Sequence, residues 1–453
     1  MRVRTLSTPE LGNRSYVVDD GETSVVIDPQ RDLDRLEPLL DLDVSHVLET
    51  HVHNDYVSGG HELARRTRAA YGVNAADDVA FERLPLHDGE QLRAGSLSVC
   101  VLATPGHTPT HLSYVVRDLA DPVAPPAVFS GGSLLYGTVG RTDLVSPALT
   151  RELAAAQHDS AQRLGALPGD AALFPTHGFG SFCAGGAGSG AESSTIADER
   201  RHNAALTTAS QVAFVDVLVA SFSAYPSYYA HMAPLNRAAA AGVDLTTPLV
   251  PATPAQVTSA LASGATVVDL RPAEDFAREH LAGTVSVNLG AQFATYVGWV
   301  TPWGGPLLVL GARQDEVAEA RRQLTRIGVD DVTPAWGPIT SLATAGVERR
   351  SYRRATFAEL AAERAPGDVV VDVRRTDEHA EARVRGSINL PVHEVEERRD
   401  ELTAGARVWV HCAAGLRAGI AASLLDRHGV DVVHVDDGFE CAVELGLTDS
   451  STG

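Results

Sequence analysis

Histidines and an acid stand at the ends of predicted strands, where they can converge on one metal ion. The segment THVHNDY at residues 50–56 follows the short apolar run SHVLE and contains His51, His53 and Asp55. Imidazole and carboxylate groups from separate loops are ligands that zinc and non-haem iron take from proteins. A two-metal site of this type needs a further histidine where Tyr56 stands, so the segment predicts a centre without a second metal.

Two later strand ends add the same chemistry. His107 closes the run SLSVCVLATPGH at 96–107, and His177 lies in AALFPTHG at 171–178. The chain has 17 histidines, and a lone histidine is more often a solvated or core residue. A set of histidines at strand ends favours a metal site instead. The candidate metal ligands are His51, His53, Asp55, His107 and His177.

Two residues near these motifs have open roles. Arg141, in GRTD at 140–143, is a candidate for binding a substrate carboxylate, and an internal salt bridge is an equally good interpretation. His111 lies four residues past His107, and its simpler interpretation is a position beside the site or at the surface.

A cysteine loop carries the chemistry of the C-terminal half. In HCAAGLRAG at 411–419, Cys412 follows an apolar strand and precedes a helix. Backbone N–H groups at a helix start favour an anion, and Arg417 adds positive charge, so both favour the thiolate that acts as a nucleophile. A lone cysteine is more commonly a small buried hydrophobe, but this position and these neighbours favour catalytic roles for Cys412 and Arg417.

The surrounding elements predict an α/β chain. In the first half, β-runs alternate with loops that hold His or Asp, which indicates an αβ sandwich with a site at one edge of its sheets. In the second half, residues 266–289 resemble residues 369–392, and Asp269 and Asp372 align at an offset of 103. Each copy adds a second strand and a helix, which predicts two tandem α/β domains with mostly parallel sheets.

The two copies differ at the cysteine. The strand–helix junction of the first copy has Gly311 instead of a cysteine, and Glu316 stands near the place of Arg417. No cysteine lies between Cys183 and Cys412, so we expect the first copy to be a structural or docking domain. The predicted domains are residues 1–243, 244–350 and 351–453.

Composition excludes several classes of partner. The formal net charge of −21, from 58 acids and 37 bases, repels nucleic acid and anionic membranes. The four cysteines form no C-x-x-C pair, which argues for a reducing compartment. The N-terminus lacks the apolar core of a signal peptide, and the most apolar long stretch, near residues 211–221, is too short to cross a membrane. We therefore expect a cytoplasmic protein.

The motifs of the first half resemble those of the metallo-β-lactamase superfamily, in its glyoxalase II and persulfide dioxygenase branch. The resemblance spans about residues 1–230 and rests on VVIDPQRD with Asp28, THVHND, TPGHT, GRTD and PTHG. It implies an αββα sandwich, one iron ion, and oxidation of a low-molecular-weight thiol persulfide by O₂ to sulfite and thiol. The family's metal-ligating Asp is replaced here by Gly132, which offers no ligand atom.

Gly132 leaves three interpretations of the centre open. His51, His53 and His107 can hold one metal as a three-histidine site, a set that zinc uses well. Iron can bind there with water at the ligand position that the missing Asp would occupy, or the site is empty and the domain is a binding scaffold. The three-histidine site is favoured because these residues and His177 are all present. Asp55 is the nearest alternative acid in the sequence, but in the family it belongs to the other metal position.

The motifs of the second copy resemble the rhodanese family. They are DVR at 372–374, GSINLP at 386–391 and the loop of pattern C-x-x-G-x-R at 412–417, and the resemblance covers nearly all of 354–445. It implies a cysteine that accepts a sulfane sulfur as a persulfide. One departure is Arg383, which stands where a histidine is usual.

Together these features predict an enzyme of sulfane-sulfur metabolism that couples persulfide oxidation to sulfur transfer through Cys412. A thiol persulfide or thiosulfate is the expected substrate, and iron is the metal that the resemblance favours, with zinc as the alternative. A metal-dependent thioester hydrolase and a non-catalytic scaffold carrying an active rhodanese domain are the competing hypotheses. Neither nucleic acid nor a membrane is an expected partner, and a homodimer is left open.

Overall fold

A computed structural model describes residues 1–186 and 188–450 of the chain. These residues form two compact units. The first contains Met1–Thr246 and Thr325–Gly328, and the second contains Thr247–Leu324 and the chain from Val329 onward. Among the described residues, no helix is both long and apolar enough to span a bilayer.

The first unit contains two six-stranded sheets and six helices. The first sheet has the order β1-β2-β3-β4-β5-β6, and the second has the order β12-β11-β10-β9-β8-β7. The strands are β1 Arg2–Thr8, β2 Asn13–Asp19, β3 Thr23–Ile27, β4 Asp43–Leu48, β5 Ala70–Asn74, β6 Leu84–Leu86, β7 Gln91–Ala94, β8 Leu97–Ala103, β9 Leu112–Asp118, β10 Ala127–Gly131, β11 Ala172–Pro175 and β12 Ser194–Thr195. The helices are α1 Gly60–Thr67, α2 Thr150–Gly165, α3 Ile196–His202, α4 Ala204–Thr207, α5 Gln211–Ala220 and α6 Tyr229–Arg237.

Alternating side chains hold these sheets in a four-layer sandwich. In β2, Tyr16 and Val18 belong to a core that both sheets share, whereas Val17 faces the other way, as the two-residue period of a strand requires. Val17 packs in a cluster with Leu63 of α1, and a separate cluster joins the outer face of the second sheet to α2. The layers are therefore αββα, which confirms the predicted sandwich.

The second unit contains two parallel sheets, as the internal repeat predicts. Their orders are β15-β13-β16-β17 in the first copy and β19-β24-β23-β20-β22 in the second, and every adjacent pair in them is parallel. The strands are β13 Thr266–Asp269, β14 His280–Leu281, β15 Val285–Ser286, β16 Leu307–Gly311, β17 Val332–Trp336, β18 Arg349–Arg350, β19 Arg353–Ala355, β20 Val369–Asp372, β21 Ala382–Val384, β22 Ser387–Asn389, β23 Val408–His411, β24 Val432–Val435 and β25 Thr448–Ser450. The helices are α7 Pro254–Ala262, α8 Ala273–Arg278, α9 Phe293–Val300, α10 Gln314–Arg326, α11 Phe357–Glu363, α12 Thr376–Glu381, α13 Val395–Arg398, α14 Leu416–Arg427 and α15 Phe439–Glu444.

The two copies repeat a buried ion pair as well as a strand order. Arg271 Nη2 lies 2.7 Å from Asp269 Oδ2, and Arg374 Nη2 lies 2.7 Å from Asp372 Oδ2. Each carboxylate ends an interior strand of its sheet, β13 or β20, and also accepts the backbone N–H two residues on. The shared pairing supports the interpretation of residues 266–289 and 369–392 as copies of one fold, while the predicted boundaries between domains stay predictions.

Candidate functional site

Asp28 anchors the loops that meet at the edge of the sandwich. It follows β3 in a left-handed conformation with φ of 51°, which is strained for a residue other than glycine. Its carboxylate accepts hydrogen bonds from Thr50 N and Thr50 Oγ1, both at 2.7 Å, and from Thr176 Oγ1. One buried acid therefore fixes the loop after β4 against the loop after β11. Burial opposes its ionisation, but His53 and these donors hold the pKa of Asp28 below its usual value.

Three candidate ligands converge at this edge. His51, His107 and His177 are each at most 2% exposed, and one ring nitrogen from each lies within 4.8 Å of the others. Nε2 of His51 is 3.2 Å from Nε2 of His177. Buried imidazoles in this arrangement are a donor set that zinc or iron accepts.

Burial keeps two of these histidines in the neutral form that binds metals. Desolvation and the neighbouring His177 lower the pKa of His107 to about 3, and desolvation with the surrounding histidines lowers that of His51 well below its ordinary value. Their lone pairs are therefore available at neutral pH without loss of a proton.

His53 lies in a different environment. Its Nε2 is 3.1 Å from Glu49 Oε2, 3.2 Å from Asp28 Oδ1 and 2.9 Å from the hydroxyl of Tyr56. Burial alone would lower its pKa, but the two carboxylates raise it to about 10. Tyr56, which stands where a two-metal site needs a further histidine, stacks on the ring of His53 with centroids 4.3 Å apart.

Asp55 orients His177. Its Oδ2 accepts a hydrogen bond from Asn13 Nδ2 at 2.8 Å and lies 3.2 Å from His177 Nδ1. Burial opposes ionisation, but His177 and the other partners hold the pKa of Asp55 well below its usual range. A carboxylate on the far nitrogen of a histidine is a common support for a metal ligand. Asp55 also joins His53 and His177 in a second candidate group.

Gly132 and His111 close the opposite side of the cluster. A Cβ on Gly132 would come 2.7 Å from Cγ of His107, so that ring occupies the space a longer side chain needs. Gly132 N donates to His111 Nε2 at 2.9 Å, and His111 Nδ1 is paired with Thr104 Oγ1. His111 therefore supports the loop and has no ring nitrogen free for a metal.

Arg141 is engaged by internal partners. Its Nε and Nη2 form a two-point ion pair with Asp143 at 2.7 and 2.8 Å, and Nη2 also donates to Ser223 O. The side chain is 3% exposed. These contacts match the interpretation as an internal salt bridge, and substrate binding by Arg141 stays a prediction.

A cavity of about 380 Å³ reaches the cluster at His177. The guanidinium of Arg14 lies 3.7 Å from the ring centre of Phe179 and donates to Glu192 O. These residues line the cavity together with Tyr136. The cavity combines a cation, an acid and aromatic surface next to a candidate ligand, as a site for a small polar substrate requires.

In the second unit, Cys412 lies between β23 and α14 and is 2% exposed. Gly415 caps the helix with φ of 86°, a conformation that favours glycine. Arg417 forms a two-point ion pair with Glu378 at 2.6 and 2.8 Å. Burial opposes the charge, but Glu378 raises the pKa of Arg417. Its partner in this structure is thus a carboxylate, and its role beside Cys412 stays a prediction.

In the first copy, an acidic side chain occupies the corresponding loop. The carboxylate of Glu316 accepts the backbone N–H groups of Ala312 and Arg313 at 3.0 and 3.2 Å, so the chain's own acid occupies these donors. This copy packs on α14, where Ser423 Oγ accepts the N–H of Ser286 at 2.9 Å. These contacts agree with the structural role expected for it.

Several site residues were missed from the sequence. Glu49 ends the run SHVLE and was interpreted only as part of a strand, yet its carboxylate binds His53. Asn13 and Thr50 fix His177 and His51, and neither has a sequence signal of its own. Glu378 was not singled out as the partner of Arg417.

Family models match both parts of the chain. The metallo-beta-lactamase superfamily model matches residues 8–177, and the rhodanese-like domain model matches residues 356–442. The chain therefore contains a metallo-β-lactamase domain and a C-terminal rhodanese-like domain. The first copy of the repeat is related to the rhodanese-like domain by its strand order, which the two sheets share.

Curated relatives belong to two activity classes. Hydroxyacylglutathione hydrolase of Parasynechococcus marenigrum is 32% identical over 157 residues, which are 33% of this chain and 59% of the relative. Human mitochondrial persulfide dioxygenase ETHE1 is 27% identical over 212 residues, which are 45% of this chain and 76% of the relative. The chain thus spans less than two thirds of that hydrolase.

A solved structure resembles most of the chain. The crystal structure of a metallo-beta-lactamase from Staphylococcus aureus subsp. aureus COL is 26% identical, covers 74% of this chain and 99% of its own, and has a TM-score of 0.67. The similarity to that structure therefore extends beyond the residues of the first unit.

Proposed function

We propose that this chain is an enzyme of sulfane-sulfur metabolism that oxidises a low-molecular-weight thiol persulfide in its first unit and transfers sulfur through Cys412 in its second. One observation carries the proposal: a buried histidine cluster suited to one metal lies in the same chain as a cysteine loop of the rhodanese type. A relative named persulfide dioxygenase supports it.

The histidines would hold one divalent metal, with iron favoured and zinc as the alternative. An iron ion there would supply the binding and activation of O₂. The overall oxidation balances as R–S–SH + O₂ + H₂O → R–SH + SO₃²⁻ + 2H⁺. The outer sulfur is oxidised to sulfite, O₂ is reduced, and the thiol leaves with the inner sulfur.

The residues of the first unit supply binding and exclusion of water. The cavity beside His177 receives the persulfide, and Arg14, held flat on Phe179, offers a cation to an anionic group of the thiol. The buried position of His51, His107 and His177 keeps water away from the reacting sulfur. Asp55 and Asn13 hold His177 in one orientation.

The residues of the second unit supply sulfur transfer. The Cys412 thiolate attacks the outer sulfur of thiosulfate, the S–S bond breaks, and sulfite leaves while a Cys412 persulfide forms. An acceptor thiolate then attacks the outer sulfur of that persulfide, which gives R–S–S⁻ and restores the Cys412 thiolate. The product is the anion of the substrate proposed for the first unit.

Thioester hydrolysis is the second candidate. It is favoured by the 32% identity to a hydroxyacylglutathione hydrolase and by a ligand set of neutral imidazoles that also suits zinc. A zinc ion there would lower the pKa of a bound water and provide a hydroxide nucleophile.

Oxygen uptake separates the two candidates. Full-length protein loaded with iron is given glutathione persulfide, and O₂ consumption and sulfite are measured beside hydrolysis of lactoylglutathione. We expect O₂ uptake that Cys412→Ser retains, and sulfite release from thiosulfate plus thiol that Cys412→Ser abolishes. Thioester hydrolysis without O₂ uptake would refute the oxidation proposal, and full thiosulfate activity in Cys412→Ser would refute the transfer proposal.

A further inference from the structure

The protons of the histidine cluster can be placed from the hydrogen bonds around it. Thr50 Oγ1 donates its single proton to the ionised carboxylate of Asp28 at 2.7 Å, so it must accept from His51 Nδ1, 2.9 Å away. His107 Nδ1 lies 2.7 Å from the carbonyl oxygen of Arg141, which can only accept. Both rings therefore carry their proton on Nδ1 and present a lone pair at Nε2.

His177 is fixed in the same way. Its Nδ1 is 2.9 Å from Asn13 Oδ1 and 3.2 Å from Asp55 Oδ2, and Asn13 Nδ2 already donates to Asp55. The oxygen of the amide thus faces the ring, and both neighbours of Nδ1 are acceptors. His177 also holds its Nδ1 proton outward and directs Nε2 into the cluster.

The Nε2 atoms are left in a contact that needs a cation. His51 Nε2 and His177 Nε2 are 3.2 Å apart, where two lone pairs repel unless a proton or a metal lies between them. Two imidazoles bound to one zinc at 2.0–2.1 Å in tetrahedral geometry are ~3.3 Å apart. His107 Nε2 and His53 Nδ1 are both buried without a hydrogen-bond partner among the described residues, but only His107 forms a candidate group with both His51 and His177 there.

The other candidate ligands do not join this group. Gly132 has no ligand atom, and the ring of His107 fills the space beside it. Among the residues that the structure describes, His53 forms candidate groups with Asp28 and Glu49 and with Asp55 and His177, but not with His51 and His107. Its Nε2 faces the carboxylate of Glu49, so only Nδ1 would remain for a metal.

We infer that His177 takes the place of the family's missing carboxylate, so that Nε2 of His51, His107 and His177 holds one divalent metal. This rests on the proposed metal-dependent function of the first unit. Asp55 acts through His177 as a positioning residue. The ligand set is neutral, so the metal keeps its full double charge and attracts an anion such as the persulfide R–S–S⁻.

Zinc affinity of full-length, metal-free variants tests the assignment without any activity assay. A chromophoric chelator competes for Zn²⁺ with His177→Ala, His53→Ala and the control His158→Ala, a buried histidine of α2 outside the cluster. We expect at least a 100-fold loss of affinity in His177→Ala, less than 10-fold in His53→Ala, and no change in the control. Asp55→Asn should weaken binding 10- to 100-fold. A large loss in His53→Ala with none in His177→Ala would overturn the assignment.

A second measurement covers variants that fail to fold. Long-range ¹H–¹⁵N spectra of ¹⁵N-histidine protein, recorded with and without Zn²⁺, show which nitrogen binds. Three histidines bound through Nε2 are expected; one bound through Nδ1 would identify His53 and refute the inference. Binding through His53 with persulfide oxidation intact would refute the inference alone. Binding through three Nε2 atoms without that oxidation would refute the proposed function alone.

Discussion

Gly132→Ala is the sharpest steric probe of the metal centre. The added Cβ would come closest to Cδ2 of His107 and would lie 2.7 Å from its Cγ, against 3.4 Å for an ordinary contact, so the ring must move. Gly132 is outside the left-handed region, so the backbone accepts alanine. Overpacking of this kind costs about 1–3 kcal/mol. If this cost falls entirely on the metal-bound state, the affinity for Zn²⁺ falls by about 5- to 150-fold.

The assay is competitive Zn²⁺ binding by the full-length protein. Gly169→Ala is the matched control, because this glycine lies in the same unit, away from the cluster, and its added Cβ meets nothing closer than 3.3 Å. We expect weakened binding in Gly132→Ala and unchanged binding in Gly169→Ala. Affinity equal to that of the natural chain in Gly132→Ala would show that His107 does not bind the metal from this position.

Three further predictions concern the rest of the chain. Cys412→Ser should abolish thiosulfate sulfurtransfer while the metal content stays unchanged; retained transfer would contradict the assignment of the nucleophile. Burial lowers the pKa of His411 from 6.5 to about 4. Because the unfolded state therefore takes up this proton at a higher pH than the folded state, the free energy of unfolding of the second unit should fall by up to about 3 kcal/mol as the pH falls from 6.5 to 4. All four tryptophans lie in that unit, so urea unfolding followed by tryptophan fluorescence measures it, and an equally steep pH dependence in His411→Gln would contradict this cause. Arg141→Ala should destabilise the first unit by about 3 kcal/mol because it strips Asp143 of a two-point partner; normal thermal stability with a raised KM would instead indicate contact with the substrate.

The fold could be predicted because its signals are local or repeated. Alternating residues such as Tyr16, Val17 and Val18 set the layers of the sandwich. The offset of 103 between Asp269 and Asp372 marks two copies of one α/β unit. The strand orders agree with both predictions, and the family models match the sandwich and the second copy.

The composition of the site could be predicted only in part, because contacts between distant residues choose among the candidates. His51, His107 and His177 converge as expected for strand-end histidines. The position of His53 depends on Glu49, whose carboxylate contacts His53 only in the folded chain. Asp55 contacts His177, which lies 122 residues later in the chain, and no spacing in the sequence predicts this pair.

Oxygen consumption by the iron-loaded, full-length chain tests the central claim most directly. With glutathione persulfide as the sole sulfur substrate, the account predicts one O₂ consumed for each sulfite formed, and loss of both in His107→Ala. An iron-loaded protein that retains its metal but consumes no O₂ with the persulfide would contradict the account.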